Sequence, residues 1–168
     1  MKVVKLKILI LIILPVVFNA CKISYSFTGS QIDAKTISID YFPNKASIIK
    51  PSLSQVLTEA FRDKFVNQTK LDLLKRNGEL QLNGEIVDYN VKPVAIQGDE
   101  TAAMNRLTIT VNVRFTNTLD DTKSFEQRFS AFQDYNSSLS LSSVEDGLSA
   151  VIIKQIVEDV FNKALVKW

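Results

Sequence analysis

The stretch from Arg106 to Thr118 alternates apolar and polar residues up to Thr116. Leu107, Ile109, Val111, Val113 and Phe115 fall on one side, and Thr108, Thr110, Asn112, Arg114 and Thr116 fall on the other. Successive side chains of a strand point to opposite faces, so this stretch is a β-strand with one buried face and one open face. An apolar sheet face must be covered by a second layer. The rest of the chain has to supply that layer.

Two segments have the right period. After Pro51, with Ser52 placed to cap, Leu53, Val56, Leu57, Ala60, Phe61 and Phe65 recur at three- and four-residue steps. Thr58, Glu59, Arg62, Asp63 and Asn67 take the other side. This predicts an amphipathic helix ending near Gln68. Near the C-terminus, Val144, Leu148, Val151, Ile152, Ile156, Val160 and Leu165 form a second apolar stripe. Ser142 or Ser143 is its expected cap, with Asp146 as a capping-box acid if Ser143 is used.

Further strands are expected around the central one. Lys35–Phe42 alternates through Ile37, Ile39 and Tyr41 and stops at Pro43-Asn44. Leu71–Leu74 is either a last helical turn or a short extended piece, and Asn77-Gly78 is a turn. In the run from Glu79 to Ile96, Leu80, Leu82 and Ile86 share one phase, and Val87, Tyr89 and Val91 share the opposite one. A phase flip beside Gly84 predicts a bulge near Glu85, and Pro93 places the far end at a sheet edge. A strand from Lys123 to Phe132 carries Phe125, Gln127, Phe129 and Ala131 in phase. Gln133–Ser143 reads as a loop. The order β-α-β-β-β-α predicts an α+β fold: a two-layer sandwich with two amphipathic helices on one face of a roughly four-stranded mixed sheet. The last three strands form an antiparallel meander.

The N-terminus carries a different signal. Lys2, Lys5 and Lys7 precede the apolar run Ile8–Phe18, and Asn19-Ala20-Cys21 follows. This is the order of a secretory leader, and its apolar run is too short to span a bilayer core, which needs about 20 residues. A cysteine directly after a small residue points to a lipoprotein leader, although Phe18 stands where Leu is usual. The alternative is an ordinary leader with an incidental cysteine. The expected organisation is a signal peptide over residues 1–20, an acylated Cys21 with a tether over 21–34, and one α+β domain over 35–168.

Without the leader's three lysines, 17 basic side chains stand against 18 acidic ones. The apparent basicity of the chain therefore belongs to the leader, and no nucleic-acid footprint remains. Cys21 is the sole cysteine, so no disulfide is expected within the domain. There is no histidine, which removes the commonest general base and metal ligand.

Catalytic signatures are correspondingly weak, and neither an enzyme activity nor a metal or other cofactor is expected. Ser47-Ile48-Ile49-Lys50 matches an SxxK string, but Pro51 disfavours helical geometry at Lys50. The carboxylate pairs Asp99-Glu100, Asp120-Asp121 and Glu145-Asp146 are expected to diverge into solvent rather than face one cleft. Phe27, Phe42, Tyr89 and Tyr135 read as core or edge residues. The candidate contact surface is the open stripe Thr108, Thr110, Asn112, Arg114 and Thr116. It is either a solvated face or a surface for a partner or an anionic glycolipid, with Arg114 as the anion contact.

Several segments in order carry a family resemblance. They are Cys21 followed by Tyr25-Ser26-Phe27-Thr28-Gly29, then Thr36-Ile37-Ser38-Ile39-Asp40-Tyr41-Phe42-Pro43-Asn44, then Gly84-Glu85-Ile86-Val87-Asp88-Tyr89. The strand Leu107–Asn117, Phe129-Ser130-Ala131-Phe132, Asp134-Tyr135 and Asp159-Val160-Phe161-Asn162 follow. In these the chain resembles the LptE-type lipoproteins of lipopolysaccharide assembly. The resemblance implies two helices on a four-stranded sheet and a lipid anchor in the outer membrane, with the domain facing the periplasm or a barrel lumen. It implies a non-enzymatic role as a plug for the LptD-type β-barrel translocon, with lipopolysaccharide as a further contact. Of site residues it carries over only Cys21, as the lipidation site. A different class is kept beside it: another periplasm-facing lipid- or glycan-binding lipoprotein of the same architecture.

Overall fold

The computed structural model describes residues 33–94 and 103–165. The leader, Cys21, Phe27 and most of the tether lie outside the described residues. The elements run β1 (Thr36–Ile39), α1 (Leu53–Gln68), β2 (Asp72–Leu74), β3 (Leu80–Val94), β4 (Met104–Asn117), a 3-10 turn (Asp121–Lys123), β5 (Phe125–Asn136) and α2 (Leu141–Leu165). The sheet order is β2-β1-β3-β4-β5. β1 lies parallel to both β2 and β3, and β3, β4 and β5 form the antiparallel meander. The sheet is thus mixed and five-stranded. The extra strand is the short extended piece after α1, held when the Asp72 N–H donates to the Lys35 carbonyl at 2.9 Å.

α2 packs on β4 and β5, and α1 packs on β1, β2 and α2. Leu107, Ile109, Val111, Val113 and Phe115 of β4 are all buried beneath them. Phe42 and Phe61 stack with centroids 4.9 Å apart, and Phe65 meets Phe161 edge-on at 5.2 Å. Tyr89 and Tyr135 are buried too.

The bulge falls between Ile86 and Asp88, one to two residues beyond the expected position. Ile86 and Tyr89 are both buried on either side of it. Gly84 fits where the chains come closest: a Cβ there would stand 2.1 Å from the Asn112 carbonyl oxygen and 2.8 Å from the Phe42 ring. The Pro93 half of β3 has β4 on one side only, as an edge position requires.

Several sequence expectations need correction. β5 continues to Asn136 where a loop from Gln133 was expected, because Asp134 and Tyr135 have partners opposite them on β4. α2 begins at Leu141, before the serines expected to cap it; the Ser143 N–H and hydroxyl both donate to the Ser140 carbonyl. Ser52 sits at the start of α1 but makes no side-chain cap bond. Val56 and Val151 are half-exposed rather than core. Val56 lies instead at the open groove between the two helices. Thr58, expected on the polar side, is 1% exposed. Its hydroxyl donates to the Ser54 carbonyl at 2.7 Å and accepts the Phe42 N–H at 3.1 Å, so the exit from β1 is satisfied by a helix side chain.

Polar clamps join the layers. Lys50, just before α1, bonds Asp146 at 2.6 Å and Glu145 at 3.3 Å in the first turns of α2, and the Tyr89 hydroxyl donates to Glu145. These carboxylates therefore converge on one cation instead of diverging. Burial opposes the charge on Lys50, but its hydrogen bonds to Asp146 and Glu145 outweigh this and raise its pKa. Burial, then the bond to Glu145, raises the Tyr89 phenol. Lys64 pairs with Glu158 across the two helices, and that hydrogen bond holds Glu158 below its ordinary value.

Two measurements check this account. Gly84→Ala should destabilise the domain by about 3 kcal/mol through overpacking. Gly147→Ala, in α2 with nothing within 4 Å, should stabilise it by about 0.5–1 kcal/mol. Denaturant midpoints moving in the same direction for both would contradict the packing described. The second measurement is the pH profile of thermal unfolding. The depressed Glu158 gives stability that is present above its unfolded pKa and lost as pH falls through the folded one. The raised Lys50 and Tyr89 give stability that is present below their unfolded values and lost as pH rises through the folded ones. With no histidine, Tm should be flat from about pH 5 to 9 and fall on both sides. A step between pH 6 and 7 would not fit.

Candidate interaction face

The sheet carries helices on one side only, and its other side is the candidate surface. Thr108, Thr110, Asn112, Arg114 and Thr116 are all part-exposed or exposed there, opposite in phase to the buried set. The register brings neighbours beside them. β5 sets Phe132 against Thr108, Ser130 against Thr110, Arg128 against Asn112 and Glu126 against Arg114. β3 sets Asn83 against Arg114, Glu85 against Asn112, Asp88 against Thr110 and Asn90 against Thr108.

These neighbours change the character of the stripe. Read alone, it is nearly uncharged; in the sheet it is flanked by acids and bases. Glu126 accepts from Asn112 Nδ2 at 2.9 Å and from Arg114 Nε at 3.0 Å. The bonds from Asn112 and Arg114 hold its carboxyl below the ordinary range. Arg114, the expected anion contact, is therefore neutralised by its strand neighbour. Thr110 and Ser130 share a 2.9 Å hydroxyl contact.

One cluster escaped the sequence reading. Arg106 binds Asp134 through two bonds of 2.7 and 2.9 Å and lies 3.7 Å over the ring of Phe132. The hydrogen bonds from Arg106 lower the Asp134 pKa. Phe132 is 48% exposed. Only the register joins these three residues, although the even phase of Arg106 with Thr108 placed it on this face from the start.

The other described candidates take part in local contacts. Lys50 of the SxxK string is committed to Glu145 and Asp146, and Ser47 is exposed. Asp120 accepts from the Thr122 hydroxyl and N–H in the turn before β5. Asp99 and Glu100 lie outside the described residues. Among the described residues no group of three or more metal-ligating side chains comes together, and no helix is long and apolar enough to cross a membrane. On the helical side, an open groove of about 470 Å³ runs between α1 and α2, lined by Val56, Ala60, Ile153 and Val157.

Comparison with known proteins gives this face a setting. No curated protein matches the chain. Among solved structures, a minor lipoprotein from Acinetobacter baumannii superposes with a TM-score of 0.50 at 13% identity, covering 79% of this chain and 96% of its own. A hypothetical protein from Chlamydia trachomatis superposes with a TM-score of 0.52 at 11% identity, covering 78% and 98%. These show the shared fold. The profile of the LptE lipopolysaccharide-assembly family matches residues 34–164, which takes in every described strand and both helices almost to their ends. The chain is thus a member of the LptE family, a lipopolysaccharide-assembly lipoprotein.

Proposed function

We propose that the protein is a non-enzymatic outer-membrane lipoprotein that plugs an LptD-like β-barrel translocon, supports its assembly and assists lipopolysaccharide on its way to the surface. The family match over residues 34–164 carries this reading. The one-sided sheet supports it. A face of hydroxyls, amides and charges that are in part paired across strands suits the wet interior of a large barrel. There, a partner must be met without burying bare charge.

The anchor belongs to the same proposal. Residues 1–20 are removed as a signal peptide, Cys21 is acylated, residues 21–34 form the tether, and residues 35–168 form the domain. One acyl chain holds a membrane only marginally, so stable retention takes at least two. The domain then faces the periplasm or the barrel lumen.

Affinity capture of the protein from detergent-solubilised envelopes should bring down a large β-barrel protein, and depletion should lower surface lipopolysaccharide. Capture that yields no barrel would refute the plug. Cys21→Ser should block processing or move the protein to the soluble fraction. If that variant still sediments with membranes at high salt, lipid is not the anchor.

A further inference from the structure

A sheet edge exposes a row of unpaired N–H and C=O groups, and proteins usually blunt such edges. Two of the three edge segments here are blunted. β2 is three residues long. The far half of β3 follows a bulge and contains Pro93, which has no N–H to offer. β5 is different. It runs for 12 residues without a proline, and its pairing with β4 continues without a shift from Phe125 to Asn136. Among the described residues nothing pairs with its outer side. Where α2 packs on β5, an open groove of about 340 Å³ remains, lined by Gln127, Phe129, Asp159 and Asn162 among others.

Two side chains on the open face of this edge lack the company their neighbours have. Arg128 is exposed and has no ion-pair or hydrogen-bond partner among the described residues. Phe132 has Arg106 over its ring but is still about half-exposed, at 48%.

We propose that β5 pairs antiparallel with β5 of a second copy, in the register centred on Ala131. Four registers keep side chains on their proper faces and most of the strand paired. Centring on Ser130 sets Glu126 against Asp134, like charge against like. Centring on Phe129 leaves Arg128 opposite Ser130 and Glu126 opposite Phe132. Centring on Phe132 leaves Arg128 opposite Asn136. Centring on Ala131 sets each Arg128 against the second copy's Asp134, twice by symmetry. It also puts Ser130 against Phe132 and the two Phe132 rings diagonal across the axis. Asp134 keeps Arg106, since a carboxylate has acceptor capacity for both cations. The contact is isologous and closes, so it ends at a dimer with one continuous sheet instead of growing. It concerns the protein outside any barrel complex and stands or falls apart from the plug.

The test uses full-length protein in detergent micelles. Ser130→Cys and Phe132→Cys chains are mixed and mildly oxidised. Opposed residues lie about 4.5–5.5 Å apart at Cα, within disulfide reach. The mixture should give severalfold more linked dimer than either variant alone, or than the parent chain with only Cys21. Light scattering on the parent should show a dimer that dissociates on dilution. Arg128→Glu, which sets a second carboxylate against Asp134 twice, should weaken association about tenfold. A parent that stays monomeric, equal linking in all samples, or an unchanged Arg128→Glu dimer would each overturn the proposal.

Discussion

Burial of one face of β4 is the constraint on which the rest depends. Leu107, Ile109, Val111, Val113 and Phe115 are each at most 1% exposed. At about 1.5–3 kcal/mol for each side chain removed from water, they contribute on the scale of a whole domain's net stability of roughly 5–15 kcal/mol. β4 is hydrogen-bonded on both sides, so it cannot turn to hide its other face. The same period of two that buries these five residues leaves Thr108 through Thr116 open. Core and candidate surface are two readings of one strand.

The helical layer then has to be held in register with the sheet. A largely aliphatic core joins the layers, and ring contacts add to it: Phe42, just after β1, meets Phe61 of α1, and Phe65 of α1 meets Phe161 of α2. Polar bonds fix it at specific points. Thr58 caps the Phe42 N–H, Lys50 joins the segment before α1 to the first turns of α2, and Lys64 reaches Glu158. Lys64 and Glu158 line the open groove between the helices, and the shifted protonation of Lys50 and Glu158 follows from their hydrogen bonds.

The open face is built from short-range pairs. Arg114 with Glu126, Arg106 with Asp134 and Thr110 with Ser130 are all cross-strand neighbours. Exposed pairs of this kind contribute little to stability, commonly under about 1 kcal/mol. They do leave the face nearly self-neutralised. A partner meeting it finds donors and acceptors at fixed spacing, with Arg128 as a cation that no described neighbour has taken.

The sequence by itself determined the two layers, the central strand, both helices, the phase flip beside Gly84 and the family to which the chain belongs. These follow from local periodicity or from residue types in order, and a period is visible without a partner. It was silent on what depends on neighbours far along the chain. Whether Leu71–Leu74 ended a helix or joined a sheet was decided by β1 lying beside it. Tyr135 and Asp134 look like loop residues until β4 is placed opposite them. Thr58 looks solvent-facing until the backbone of Phe42 requires an acceptor. The charges around the Thr108–Thr116 stripe, and the stacking of Arg106 on Phe132, exist only once a register is chosen. A shift of one residue would send every side chain to the other face, and only the closed tertiary structure fixes that choice.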